Sequence, residues 1–378
     1  MKRRDFLKIG IVGAASAAAG LTGLRGASGA EGAGPVYRIL GRTGLKVTVV
    51  SFGAMLTPEH EVMEAAFDLG INYVDTARRY MNGRNEEIVG RALKGRRDKV
   101  FVATKTQPGS ISRKDIITDV ETSLSKLKTD RIDVIQLHNL TGKDKTRIME
   151  PETRAALLEL RKEGKVRFFG VTTHTDQAEV LDALLADPER LFDTALVGYN
   201  FKSAPAVKEA IARAAKAGVG ITAMKTQAGG YKTEALGKMS PHQAALKWAL
   251  MDQNVTHAIP GMKDMSMLQE DMSVMGMRFT ARDARVLDRY AEAVKGVYCH
   301  LCAICEPTCP KKVAISIINR SLLYAESYGA LDLARSTYAE IGTASSASAC
   351  GACEVCVAQC AHGLDIGLKM KRAKSLFA

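Results

Sequence analysis

Between Val36 and about Gly296 the chain alternates short apolar runs with amphipathic stretches, at intervals of roughly thirty residues. The apolar runs are Val47–Phe52, Ile71–Asp75, Val100–Lys105, Ile132–His138, Val166–Thr172, Ala195–Asn200, Val219–Lys225 and Thr256–Pro260. They are rich in β-branched residues and nearly continuous in hydrophobicity, the pattern of strands buried on both faces. The stretches between them carry apolar residues at helical spacing. In Ile111–Leu127, for instance, Ile116, Val120, Leu124 and Leu127 share one face. Eight such βα units in about 220 residues predict an α/β fold, a closed (β/α)8 TIM barrel. An open doubly wound sheet competes with it, but no G-x-G-x-x-G turn follows the first run. From about Val297 the pattern changes: Val313–Glu326 and Leu331–Glu340 read as helices with no strands between them. The expected organisation is a barrel over residues 31–296 and a small, mainly α-helical domain over 297–378.

Barrels of this kind place their chemistry on the C-terminal face, where the strands end. The second run ends in Asp75, the third in Lys105 and the fourth in His138, and Tyr80 follows Asp75 in the next loop. Taken alone, each has a structural reading: a salt bridge, a core-edge histidine, a loop tyrosine. Together they form a candidate proton donor for a carbonyl group. A lysine at the rim of an apolar strand needs an anion, and Asp75 on the adjacent strand is placed to provide it. A free phenol has a pKa of about 10, and a nearby ammonium is expected to lower that of Tyr80 toward working pH. Tyr80 then serves as general acid, with His138 as a second hydrogen-bond donor.

All eight cysteines lie in the C-terminal part, in two copies of one spacing. Cys299, Cys302, Cys305 and Cys309 read C-x2-C-x2-C-x3-C, followed by Pro310; Cys350, Cys353, Cys356 and Cys360 repeat it, followed by Ala361. Three closely spaced thiolates wrap one iron–sulfur cube, and the fourth reaches a neighbouring cube. A disulfide framework and paired zinc sites also suit an even count. Zinc, however, is held by pairs of C-x-x-C and has no use for a third and fourth cysteine at these offsets. Two [4Fe–4S] clusters are therefore expected, one on Cys299, Cys302, Cys305 and Cys360, the other on Cys350, Cys353, Cys356 and Cys309.

The N-terminus reads Lys2-Arg3-Arg4-Asp5-Phe6-Leu7-Lys8, then an apolar, Gly- and Ala-rich run from Ile9 to Leu24. Ser28-Gly29-Ala30 offers a small-residue cleavage site ahead of Glu31. The run is shorter and less hydrophobic than the ~20 residues a membrane span needs. The R-R-x-F-L-K string resembles a twin-arginine export signal, a route that carries folded, cofactor-loaded proteins. Residues 1–30 are thus expected to be a signal peptide, with export to the periplasm. Contact with a membrane is expected only where the signal stays uncleaved.

The barrel resembles the aldo/keto reductase family, from Tyr37-Arg38-Ile39-Leu40-Gly41-Arg42-Thr43-Gly44-Leu45 to Ile259-Pro260-Gly261. The resemblance is strongest at Asp75-Thr76-Ala77-Arg78-Arg79-Tyr80, Asn85-Glu86 and Val102-Ala103-Thr104-Lys105. It implies a catalytic tetrad of Asp75, Tyr80, Lys105 and His138, carbonyl reduction, and a nicotinamide cofactor, NADP or NAD. The part from about Val297 resembles the helical dicluster ferredoxin domain fused to some members of that family. The cofactor pocket departs from the family's pattern. Thr172-Thr173 replaces the usual Ser-Asn pair, Leu196 a glutamine, and Met224 beside Lys225 an aromatic residue that stacks on the nicotinamide. Near the last strand Gly261 and Lys263 are the candidates for an anion, and Gln269-Glu270-Asp271 is similar to the family's adenine-side segment. Met55, His174, Met224 and Tyr231 are candidates to line the mouth.

With 46% hydrophobic and 25% charged residues, the 378-residue chain has the composition of an ordinary globular protein. Its formal charge is +12; loss of residues 1–30 removes five cations and Asp5, leaving +8. That surplus suits an acidic redox partner or an anionic cofactor, and no motif points to nucleic acid. The expected partners are a small carbonyl or alcohol substrate and a redox protein. Nicotinamide gives two electrons as hydride and clusters pass one at a time, which leaves three arrangements. The protein is a reductase exported with its nucleotide, a barrel whose electrons travel through clusters and a partner, or an electron-transfer subunit with the barrel as scaffold. The intact tetrad favours an oxidoreductase acting on a carbonyl compound.

Overall fold

Tyr37–Ile39 (β1) and Lys46–Thr48 (β2) pair antiparallel as a hairpin, Arg38 opposite Val47. The hairpin carries Leu40, Leu45 and Val47 into a buried cluster with Tyr73, Val134 and Leu196 from the barrel interior. It thereby fills the interior from one end, as a barrel core requires. The computed structural model describes residues 34–229, 231 and 240–377. The expected signal and its cleavage site lie outside the described residues. No helix among the described residues is long and apolar enough to cross a membrane.

After the hairpin the chain alternates strand and helix. The elements are β3 (Phe52–Gly53), α1 (His60–Asp68), β4 (Tyr73–Asp75), α2 (Asn85–Ala92), β5 (Phe101–Lys105), α3 (Arg113–Leu127), β6 (Ile132–Leu137) and α4 (Pro151–Lys162). They continue as β7 (Val166–Thr173), α5 (Gln177–Leu185), β8 (Thr194–Gly198), α6 (Pro205–Lys216), β9 (Gly220–Met224), α7 (Pro241–Met251) and β10 (His257–Ala258). Strands β3 to β10 form one eight-stranded parallel sheet in sequence order. Its two edges meet: Val50 bridges Ala258 and Gly53 bridges Gly261, both in parallel, and Gly53 N donates to Pro260 O at 3.0 Å. A β-carbon on Gly53 would lie 2.6 Å from Ile259 O, so the seam requires glycine. The sheet is therefore a closed (β/α)8 barrel. Between it and the helices lies the main core, built from residues such as Phe52, Val74, Val102, Ile135, Val171 and Ile221.

The first expected strand is corrected by the structure. Val47 and Thr48 belong to the hairpin, Ser51 Oγ bonds Thr48 O at 2.8 Å, and the run joins the barrel through the Val50 bridge and the short strand Phe52–Gly53. The last is shortened to His257–Ala258, and Pro260 just beyond it has no N–H to extend a ladder. Helix α3 begins at Arg113, two residues inside the expected start, because Ser112 caps it by accepting from Asp115 N.

Beyond α8 (Met265–Met272) and α9 (Ala281–Ala293) come α10 (Ile315–Glu326), α11 (Leu331–Tyr338) and α12 (Ile366–Phe377). Val313, Ile318, Leu322, Ile366 and Met370 give this part its own core. A second cluster joins it to the barrel: Ala228, Tyr290, Val294, Tyr298 and Leu323 are buried together. Pro35–Ala378 form one compact unit.

Candidate active site and the cysteine cavities

Asp75 ends β4 and Lys105 ends β5, and neighbouring-strand register (Asp75 opposite Ala103) brings them side by side. The Lys105 ammonium donates to Asp75 Oδ1 and, at 2.7 Å, to Thr76 O; Gln136 Nε2 donates to Asp75 Oδ2 at 2.9 Å. Both ion-pair side chains are buried, 1% and 4% exposed. Such a pair persists because its remaining polar atoms are satisfied. The turn carrying Tyr80 is pinned from below. Thr76 Oγ1 donates to Asn85 Oδ1 at 2.6 Å, Asn85 Nδ2 to Ala54 O at 2.9 Å, and Thr104 Oγ1 to the buried Glu86 at 2.6 Å. Met81 and Asn82 there adopt left-handed backbone.

The four expected residues converge on the barrel mouth. The Lys105 ammonium lies 4.9 Å from the centre of the Tyr80 ring, and Tyr80 meets His138 edge-on at 6.2 Å. The expected electrostatics are overturned, however. Burial, followed by Asp75 and Tyr324, pushes the Tyr80 phenol well above its ordinary value, and Arg320 and Arg79 oppose this only in part. Asp75, the partner of Lys105, is itself one of the groups that push the phenol up. Burial, then Lys105, Arg79 and Arg320, holds His138 well below the usual imidazole range. The site thus presents a protonated phenol and a neutral imidazole whose Nδ1 has no partner among the described residues.

The C-terminal helices cover this mouth, which the sequence reading missed. Arg320 of α10 donates to Asn139 Oδ1 at 2.5 Å and meets Glu340 at 3.2 Å. Arg79 meets Glu340 at 2.5 Å and donates to Ser336 O at 2.6 Å. Asn319 and Arg320 among the apolar residues of this helix were the available signal, and both are buried.

Beside Tyr80 a cavity of about 140 Å³ is lined by Gly53, Met55, Asp75, His174, Met224, Lys225, Gly261, Lys263 and Tyr328, among others. The other expected cofactor residues lie elsewhere or are engaged. Thr172 Oγ1 accepts from Asn139 N at 2.7 Å and Thr173 Oγ1 donates to Thr175 O at 2.8 Å. Gln269 is exposed on α8, whereas Asp271 is buried, takes a 3.3 Å bond from Gln227 and has its carboxyl pushed well up by burial. Leu196 packs in the barrel interior, and Tyr231 packs edge-on to Tyr298 at 6.4 Å, away from the cavity lining.

The cysteines are free thiols gathered in two places. Cys299, Cys302, Cys305 and Cys360 ring one cavity, and Cys309, Cys350, Cys353 and Cys356 ring another. Each ring takes three residues from one run and the fourth from the other. Burial pushes the Cys299 thiol up to about 12, with Cys305, Cys302 and Cys360 adding to the effect. Leu301 and Ala303 adopt left-handed backbone, so the chain wraps around the first ring, and Leu301 N points at Cys299 Sγ, 3.5 Å away. Among the described residues no three donors stand close enough to share a single metal ion.

Residues 57–236 match the family model described as the aldo/keto reductase family. An uncharacterised oxidoreductase of Bacillus subtilis is 38% identical over 151 residues, covering 36% of this chain and 48% of its own. A methylglyoxal reductase of Escherichia coli is 28% identical over 250 residues, covering 63% of this chain and 86% of its own. The chain thus spans about half the length of the first of these relatives. Among solved structures, the holo form of an aldo-keto reductase from Bacillus halodurans superposes with a TM-score of 0.57 at 26% identity, over 68% of this chain and 96% of its own. Over residues 57–236 the chain is thus similar to the aldo/keto reductase family, a class of oxidoreductases.

Proposed function

We propose that this protein is an exported iron–sulfur oxidoreductase of the aldo/keto reductase type, interconverting a small carbonyl compound and its alcohol. The observation that carries the reading is the buried Lys105–Asp75 pair against the ring of Tyr80, with neutral His138 beside it at the barrel mouth. A carbonyl oxygen placed there meets two neutral donors. The reduction takes two electrons and two protons. The electrons and one proton, from the external reductant and solvent or together as hydride, go to carbon, while negative charge grows on the oxygen and Tyr80 delivers the second proton to it. His138 steadies the same oxygen, and Arg320 and Arg79 favour the phenolate left behind. Because the phenol is pushed up, it stays protonated and ready to donate across the neutral range. The bond to Thr76 O and the Asp75 contact hold the Lys105 ammonium, so the residue is a fixed electrostatic neighbour of the donor.

The thiol donor sets, four and four with crossed fourth members, suit two [4Fe–4S] clusters. A cube spreads its thiolates farther apart than one ion does, in keeping with the lack of a single-ion site among the described residues. When bound, the clusters supply one-electron transfer, which calls for a redox partner protein. The crossed rings also support reading 297–378 as a dicluster ferredoxin-like domain. The twin-arginine-type string at Arg3 and Arg4, together with eight thiols best loaded before export, supports a periplasmic destination.

The test is Tyr80→Phe, which removes one hydroxyl and keeps the ring. With methylglyoxal as first carbonyl probe and reduced viologen or NADPH as donor, turnover should fall by about 10²–10⁴-fold. Bleaching of the cluster absorbance by the dye should be unchanged. Turnover that survives Tyr80→Phe rejects the general-acid assignment.

A further inference from the structure

The family link implies a nicotinamide dinucleotide, and the groove this chain builds does not fit one. The cavity at the mouth holds about 140 Å³, against the ~300–1,000 Å³ of small-molecule and cofactor sites. The space beside it is filled by the chain itself. Tyr328 lays its backbone carbonyl on the Lys263 ammonium, and the rings of Tyr324 and Tyr328 take the Lys225 ammonium at 4.5 and 5.1 Å. Thr173 Oγ1 already donates to Thr175 O, and Thr172 Oγ1 accepts from Asn139 N, so of the two hydroxyls only that of Thr172 keeps a proton to donate to a carboxamide.

What remains is small and cationic. Lys225 and Lys263 both line the cavity, and among the described residues neither has a carboxylate partner. Around the mouth Asp75 is held by Lys105, and Glu340 is shared by Arg79 and Arg320. His174, buried and also lining the cavity, has Nδ1 without a partner among the described residues. Lys225 lies against the Tyr324 and Tyr328 rings with a hydrogen bond to Tyr324, and Lys263 donates to Tyr328 O, so neutral groups hold both ammoniums and, among the described residues, no anion does.

We propose that this cavity binds a small carbonyl compound through an adjacent carboxylate, a 2-oxo acid or the matching 2-hydroxy acid, and that a nicotinamide dinucleotide does not enter it. The carboxylate pairs with Lys225 and Lys263 and takes a further bond from His174, which leaves the carbonyl oxygen toward Tyr80. The substrate class rests on the carbonyl reading of Tyr80 given above.

Calorimetric titration of the full, anaerobically loaded protein tests this, with pyruvate, its uncharged counterpart hydroxyacetone, and NADPH as probes. Pyruvate should bind at least about tenfold more tightly than hydroxyacetone, and NADPH should give no binding isotherm. Lys225→Gln should weaken pyruvate about tenfold or more and leave hydroxyacetone unchanged, with Lys263→Gln as the second variant should the first not fold. Tight NADPH binding, equal affinity for the two carbonyl probes, or pyruvate binding indifferent to both substitutions overturns the proposal. Tyr80→Phe separates it from the reading it rests on. Pyruvate binding that tracks the lysines alongside turnover that survives Tyr80→Phe rejects the general acid and keeps the anion site. The reverse pattern rejects the anion site alone.

Discussion

Lys105→Met keeps most of the side chain's length and apolar stem while removing its charge. The lost ammonium bonded Asp75 and Thr76 O in a site where the two side chains are 1% and 4% exposed. Among the described residues Asp75 keeps a single side-chain donor, Gln136 Nε2 at 2.9 Å. Removing one partner of a buried ion pair strands the other and costs about 3–5 kcal/mol, a large part of the ~5–15 kcal/mol that holds a protein folded. Replacing both, as Asp75→Asn with Lys105→Met, removes the stranded charge and should recover most of that loss. The pH dependence carries a sign. An unpaired buried carboxylate has a folded-state pKa raised above its unfolded value, so the native variant binds the extra proton and its stability falls as pH rises through the carboxylate range. Lys105→Met should therefore approach the native protein on acidification. Urea unfolding of the native protein, the single variant and the double variant, at pH 7 and pH 5, measures all of this. A single variant within about 1 kcal/mol of native at pH 7, or a double variant no better than the single, refutes the account of a charge pair kept by mutual need.

His138 and His174 are held well below the ordinary imidazole value and His257 at about 3, in each case mainly by burial. Below pH 6.5 the unfolded chain therefore takes up protons that the native one refuses, and each histidine should remove about 1.4 kcal/mol per pH unit until its folded pKa is reached; a thermal midpoint level from pH 7 to pH 4 refutes this. If the fourth cysteines cross, Cys360→Ser should damage the centre of Cys299, Cys302 and Cys305, and Cys309→Ser the other. Cluster spectra of the two variants should then differ in that sense, and iron falling from about eight to about four per chain in each case is the check. Arg3→Lys with Arg4→Lys should leave the protein folded and cluster-loaded in the cytoplasm, read by cell fractionation; continued export rejects the twin-arginine reading.

The barrel was legible because strands buried on both faces leave unbroken apolar runs, and Asp75, Lys105 and His138 interrupt those runs where a strand must end. Cysteine spacing is equally local, so the two runs announce themselves. Pairing of Lys46–Thr48 with Tyr37–Ile39 was hidden because the apolar run continues to Phe52 and only the Ser51 Oγ bond to Thr48 O marks its division. The phenol's true environment was hidden for a different reason. The groups that set it beyond burial and Asp75 are Tyr324, Arg320 and Arg79, and two of these come from a helix some 240 residues away in the chain. In α10 nearly every position is buried, so its sequence shows no single wet face from which its orientation could be read.

That helix is a party wall. Ile315, Ser316 and Asn319 face the ring of Cys299, Cys302, Cys305 and Cys360, while Arg320 and Tyr324 face the mouth above Tyr80. Successive residues of a helix are turned by about 100°, so Asn319 and Arg320 look into different rooms although they are neighbours in the chain. Inserting or deleting one residue in α10 would rotate every later position by that angle and unseat the residues of the barrel mouth. The two centres consequently share one register, and change in either must keep the length of that wall.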